Sequence, residues 1–182
     1  MCIRDRYNDE VIIALDIGTS KVLCLVADYD DDNNLRIIGV GQEACEGLNK
    51  GVISEIGTTV NSIRRAKDKA STMATIKFES VTTGIAGNHI QSYNGNSDLN
   101  ILNDEVTEED KEKVIDMASD ISIPEDQEIL HIIPQYFTID GQSGIREPVG
   151  MAGKRLGVNV HLITCSSTAK KNLTKCIEMS QL

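Results

Sequence analysis

Apolar residues fall along this chain in short blocks between polar turns, and their spacing changes from strand-like to helix-like and back. Val11 to Leu15 is a continuous apolar run, the kind that fills a strand buried on both faces, and Val22 to Ala27 follows almost at once. After the acidic turn Asp28-Tyr29-Asp30-Asp31-Asp32-Asn33-Asn34, Leu35 to Val40 reads as a third strand. Gly47 to Ile53 is a glycine-bracketed connection into a helix, with Ser54 as its expected N-cap. Ile56, Val60, Ile63, Ala70 and Met73 recur there at helical spacing. Arg64, Arg65, Lys67 and Asp68 lie between them, so Arg64 to Lys69 reads as a solvated face. Ser80 to Ile85 returns to strand and ends in Gly84-Ile85-Ala86-Gly87, giving the order β-β-β-α-β.

The character changes near residue 87. Asn88 to Asn103 is polar and turn-rich, although His89 opens a possible strand, and Thr107-Glu108-Glu109-Asp110 starts a helix with a capping-box pattern. Val114, Ile115, Ala118 and Ile121 supply its apolar side. Ile129 to Ile133 and Tyr136 to Ile139 read as two strands broken at Pro134. A glycine-rich loop from Gly141 to Gly153 follows, then a strand from Lys154 to Thr164. Ser166 or Ser167 is the expected cap of a last helix, with Ala169, Leu173, Cys176 and Ile177 on its apolar face. Neither a glycine stop nor a closing element follows that helix, so the chain reads as a truncated piece of a longer protein.

Composition narrows the function classes. A length of 182 residues with 40% hydrophobic content supports a real core in one domain or two small ones. The net charge of -10 argues against a general nucleic-acid or anionic-membrane surface, and 3% aromatic content argues against base-stacking platforms. Cys2, Cys24, Cys45, Cys165 and Cys176 show no zinc or redox spacing and read as reduced thiols, with Cys24 and Cys176 on apolar faces. His89, His131 and His161 belong to no nucleophile motif and read as structural. The acidic turn fails the EF-hand pattern, because its sixth position is Asn33 and its twelfth is Gly39. No stretch approaches the roughly 20 apolar residues of a spanning helix. Met1 to Arg6 has no periodicity leading into the first strand and reads as translated adaptor sequence.

The candidate chemistry sits where the first strand ends, in Asp16-Ile17-Gly18-Thr19-Ser20-Lys21. A glycine here lets the backbone come close to a ligand, and Thr19 and Ser20 offer hydroxyl and N–H donors to phosphate oxygens. Asp16 can hold a hydrated divalent cation, while Lys21 is a mobile charge for phosphates. Because strand follows strand, this is a hairpin and not a strand-to-helix P-loop. The same residues also fit an ordinary hairpin turn in which Gly18 supplies a positive φ.

That turn, the β-β-β-α-β order, Gly47-x-x-Lys50-Gly51-Val52-Ile53 and His131-Ile132-Ile133-Pro134-Gln135 together resemble the FtsA family, the bacterial cell-division branch of the actin-like ATPases. Pro148-Val149-Gly150-Met151 and Val160 to Thr164 extend the resemblance, whereas Tyr136-Phe137 departs from the Glu-Tyr expected there. The resemblance implies an α/β, actin-like (ribonuclease H-like) split subdomain with an inserted strand-helix-strand-strand α+β subdomain. Residues 10–86 and 162–182 would form the split subdomain and 87–161 the insert, with 1–9 non-native or disordered. It further implies ATP with Mg as cofactors, Asp16 acting on the metal through water and Gly18, Thr19, Ser20 and Lys21 on the phosphates. At most weak ATPase activity is implied for the full-length protein, and none for this chain alone. Implied partners are other copies in filaments, FtsZ through a lobe absent here, and later division proteins through the insert. The membrane's cytoplasmic face would be reached through a C-terminal helix, also absent. An actin-like platform protein of type IV pilus assembly, which shares the superfold and a comparable insert, and a sugar-kinase-type phosphotransferase, which shares the phosphate turn, remain alternatives.

Overall fold

The computed structural model describes residues 11–182, so the expectations for segment 1–9 and for Cys2 lie outside the described residues. The chain forms two compact units, one running up to Asn88 and resuming at Thr168–Leu182, the other comprising His89–Ser167.

The first unit opens as an antiparallel meander of β1 (Ile12–Ile17), β2 (Lys21–Tyr29) and β3 (Leu35–Ala44). A two-rung hairpin of β4 (Leu48–Asn49) and β5 (Val52–Ile53) leads into helix α1 (Ile56–Ala74), and β6 (Thr82–Thr83) then lies parallel to β1. The sheet order is β3-β2-β1-β6. Side chains alternate across the strands, so Leu15, Val22, Cys24 and Val26 reach the core with Val60, Ile63, Ala66 and Ala70 of α1. Each fully buried Val or Ile contributes about 1.5–3 kcal/mol to this contact. The first strand is not buried on both faces as its apolar run predicts: Ile12, on the side away from this core, is 41% exposed. Helix and sheet touch backbone to backbone, since a Cβ at Gly41 would lie 1.8 Å from the Ala66 carbonyl oxygen.

Three local expectations change. Ser54 does not cap α1. Its hydroxyl and N–H both donate to the Gly47 carbonyl, at 3.1 and 2.8 Å, which closes the β4–β5 hairpin and leaves Glu55 as an N-cap without a side-chain bond. The strand expected over 80–85 pairs only at Thr82 and Thr83. The basic residues of α1 are not a merely solvated face: Arg65 and Lys69 both pair with Glu43, and that contact with Lys69 holds the Glu43 carboxyl below its ordinary range. Arg64 and Lys67 donate to the carbonyls of Met179 and Gln181, at 2.5 and 2.6 Å, where cations complement the end of helix α3 (Ser167–Met179). Cys176 of α3 is buried in the same core as Cys24 and Cys45, and burial pushes the Cys24 thiol up to about 11. In the acidic turn, Asp30 Oδ1 accepts from the N–H groups of Asp32 and Asn34 at 2.9 and 2.8 Å, so the carboxylate shapes a hairpin.

The second unit is a sheet of order β7-β10-β8-β9 with one helix, all its strand pairs antiparallel. Its elements are β7 (Gln91–Asn100), α2 (Glu108–Ser119), β8 (Gln127–Ile139), β9 (Gln142–Ile145) and β10 (Arg155–Ser166). Leu156, Val158, Val160 and Leu162 alternate along β10 into a core with Val114 and Ala118 of α2 and with Phe137 and Ile139. The largely polar β7 forms because it pairs without interruption along β10. The two strands expected around Pro134 are one. Tyr136 pairs with Asn159 and Pro134 with Val160, so Gln135 is an extra bulge residue, and a proline that cannot donate to the ladder is tolerated there. The glycine-rich segment contains β9, reached from β8 through Asp140 and Gly141 at φ 49° and 90°, both left-handed as a tight hairpin turn requires. β10 continues to Ser166, past the junction expected at residue 162. His161 shares a 2.8 Å hydrogen bond with Asn94 Oδ1, while both ring nitrogens of His89 are buried with no hydrogen-bond partner among the described residues.

The capping box of α2 is complete: the Thr107 hydroxyl accepts from the Asp110 N–H, and the Asp110 carboxylate accepts from the Thr107 N–H at 3.0 Å. The Thr107 hydroxyl and N–H hold the Asp110 carboxyl below its usual 3.8. Since the folded value lies below the unfolded one, the stabilisation is fully present above about pH 4 and is lost as pH falls through the folded value. Thr107→Ala should therefore cost about 1 kcal/mol at neutral pH. Urea denaturation should show that deficit shrinking toward pH 3; a deficit independent of pH would mean that the box carries no charge-dependent share.

Candidate functional site

The β1–β2 hairpin places all five candidate residues within one turn of the chain. Asp16 pairs with Leu23 and Ile17 with Val22, which leaves Gly18, Thr19 and Ser20 as the connection. The Gly18 N–H donates to the Lys21 carbonyl at 2.9 Å, and the Cys45 N–H donates to the Ser20 carbonyl at 3.1 Å, so the buried start of the next segment anchors the turn. Gly18 does not take a positive φ, contrary to the ordinary-turn reading. The N–H groups of Thr19 and Ser20 have no backbone acceptor among the described residues. Thr19, Ser20, Lys21 and Asp16 are all exposed. The turn thus offers main-chain donors, two hydroxyls, an ammonium and a carboxylate to solvent, the mixture that a metal-bound phosphate chain requires.

Asp16 also borders a pocket of about 370 Å³. Ala14, Leu23 and Leu25 give it an apolar floor on the sheet face away from α1, and Thr82, Thr83 and Gly84 of the β6 end form the adjoining side. The Thr83 hydroxyl donates to the Leu15 carbonyl at 2.8 Å, tying β6 to the residue just before Asp16. The carboxyl ends of two parallel neighbours, β1 and β6, therefore meet here, the place where open α/β sheets gather ligands. Motif reading leaves Thr82 to Gly84 without a role. The signal that could have found them is topological: a strand that follows β-β-β-α is expected to return beside β1 and parallel to it.

The polar donors belong to the unit with the lesser charge excess. His89–Ser167 holds 14 Asp and Glu against five Lys and Arg, so nearly all of the chain's net -10 resides in the second unit. Among the described residues no group of three or more His, Cys, Asp and Glu could hold a metal ion, so a divalent cation here would be held by the Asp16 carboxylate through water together with its ligand. No helix of the described residues is long and apolar enough to cross a membrane.

A family profile described as the SHS2 domain inserted in FTSA matches residues 87–164. Curated relatives carrying the name cell division protein FtsA include that of Neisseria meningitidis serogroup B, 48% identical over 95% of this chain and 42% of the relative. Those of Pseudomonas aeruginosa and Escherichia coli K12 are 45% and 38% identical, each over 93% of this chain and over 41% and 40% of the relative. The chain thus spans about 40% of the length of these relatives. Among solved structures, a chain of the PilM-PilN type IV pilus biogenesis complex superposes with a TM-score of 0.60 at 14% identity, covering 94% of this chain and 45% of that one. At that identity the likeness is one of fold, consistent with an actin-like architecture.

The tie between β6 and β1 is directly testable. Thr83→Val keeps the shape but leaves the Leu15 carbonyl without its hydroxyl donor, and should cost about 1 kcal/mol of stability, whereas Thr83→Ser should cost less. Chemical denaturation of both variants checks this; equal losses would mean that the methyl group, not the hydroxyl, holds β6 in place.

Proposed function

Taking as premise that the chain belongs to the FtsA family of cell-division proteins, we propose that its first unit binds magnesium-ATP through the β1–β2 hairpin. The full-length protein would use that nucleotide to control assembly at the cytoplasmic face of the membrane. The observation that carries the reading is the position of Asp16, exposed at the carboxyl end of two parallel strands and on the rim of a pocket. The metal supplies charge neutralisation for the phosphates. Asp16 accepts hydrogen bonds from the metal's water shell, Gly18 keeps the backbone close, Thr19 and Ser20 donate to phosphate oxygens, and Lys21 balances their charge.

The remaining roles extend the same reading. Filament formation along the membrane, attachment to FtsZ and anchoring by an amphipathic helix belong in this proposal to the full-length protein. The inserted unit, strongly acidic and independently cored, is the surface offered to neighbouring copies and to later division proteins. Identities of 38–48% to division proteins favour this reading over a pilus platform, whose support is fold likeness at 14%. A phosphotransferase would need a general-base carboxylate in a substrate pocket, and apart from Asp16 the pocket beside the hairpin is lined by apolar residues, two threonines and a glycine.

Asp16→Ala and Lys21→Ala in the full-length protein should each weaken magnesium-ATP binding by roughly ten- to hundredfold, the loss of one charged hydrogen-bonding partner. Both side chains are exposed, so the thermal transition without nucleotide should stay in place. Isothermal titration calorimetry checks the first statement and a melting curve the second; unchanged affinity in both variants would return the turn to a purely structural role.

A further inference from the structure

Nothing in the fold requires residue 84 to be glycine. Its φ lies outside the left-handed region, so the backbone accepts any L-residue, and a Cβ built there meets no atom within 4 Å. Gly41 differs, because there the helix backbone occupies the place of the missing side chain.

The parallel register leads to the space that Gly84 leaves. Ala14 pairs with Thr82 and Leu15 with Thr83, and Asp16 and Gly84 are the residues that follow this last pair. If the alternation of β6 continues one residue further, a side chain at 84 projects on the face that carries the Asp16 carboxylate. Both residues line the same pocket. We infer that Gly84 is a clearance residue of the site: its bare Cα leaves room beside Asp16 for a hydrated divalent cation and the phosphate oxygens bound to it. A cation of the magnesium type sheds its water reluctantly and is held by few carboxylates, so a single Asp needs space for a water shell, not only for the ion. Thr83 fixes the width of that space by bonding β6 to the Leu15 carbonyl. The inference rests on the metal–nucleotide reading of Asp16 to Lys21 and adds to it a residue from a strand remote in sequence.

Gly84→Ala and Gly84→Val in the full-length protein, with Asp16→Ala alongside, separate the possibilities. Each variant is melted without nucleotide and titrated calorimetrically with ATP in the presence and absence of magnesium. The apo melting temperature should be unchanged in Gly84→Ala. Magnesium-ATP affinity should fall in graded fashion, by about tenfold or more for Val, well beyond any change seen without magnesium. If Gly84→Val binds as the wild type does while Asp16→Ala loses affinity, the clearance role is overturned and the hairpin site stands. If the wild type does not bind magnesium-ATP, or Asp16→Ala binds as tightly as it does, the site itself is refuted and Gly84 with it. A lowered apo melting temperature in Gly84→Ala would show that the glycine serves packing, and would overturn the inference as well.

Discussion

The pairing of β6 with β1 is two residue pairs long, yet the candidate site depends on it. Without it the Asp16 to Lys21 turn would be the tip of an isolated antiparallel meander with no second wall. The Thr83 hydroxyl reinforces the pairing at Leu15, and α1 makes it possible by packing over β2 and β3 so that the chain comes back to the β1 edge. That return depends in turn on close backbone contact. Gly41 lets the helix rest on β3, and Gly95 does the same for α2 on β7, where a Cβ would lie 2.0 Å from the Ala118 carbonyl oxygen. Both units thus use one device, a glycine under a helix, to bring helix and sheet backbones into contact at one point beside the packed side chains.

Charge divides along the same line as the fold. The second unit is strongly acidic, and two of its five cations form ion pairs across it, Lys111 with Glu147 and Arg155 with Asp98. These pairs are exposed and add little stability, so the acidity is a property of the surface and not of the core. In the first unit the cations of α1 are spent on Glu43 and on the end of α3, which leaves Lys21 as the cation built into the hairpin turn. A tetraanionic nucleotide therefore has good reason to approach the first unit and little to approach the second.

Much of the fold was legible where local pattern and local chemistry agree. The meander follows from apolar runs separated by a polar turn, α1 from its 3.6-residue spacing, and the start of α2 from Thr107 and Asp110. The failures are places where a distant partner decides. Ser54 looks like a cap until Gly47 takes its hydroxyl, and Pro134 looks like a break until a bulge opposite Asn159 and Val160 accommodates it. The basic stripe on α1 is solvated as its pattern suggests, yet its contact with the end of α3, more than a hundred residues later in the chain, could not be read from it. The candidate site divides in the same way. Asp16 to Lys21 are contiguous and could be read directly, but Thr83 and Gly84 join them only through a parallel register that no local spacing encodes.

The central claim is that the β1–β2 turn and the end of β6 form one magnesium-ATP site. Amide hydrogen exchange of the full-length protein, with and without magnesium-ATP, tests it most directly. The account predicts slowed exchange in two peptides remote in sequence, one spanning Gly18 to Lys21 and one spanning Thr83 to Gly87, with both effects lost in Asp16→Ala. Protection absent from both peptides, or confined to the His89–Ser167 unit, would contradict it.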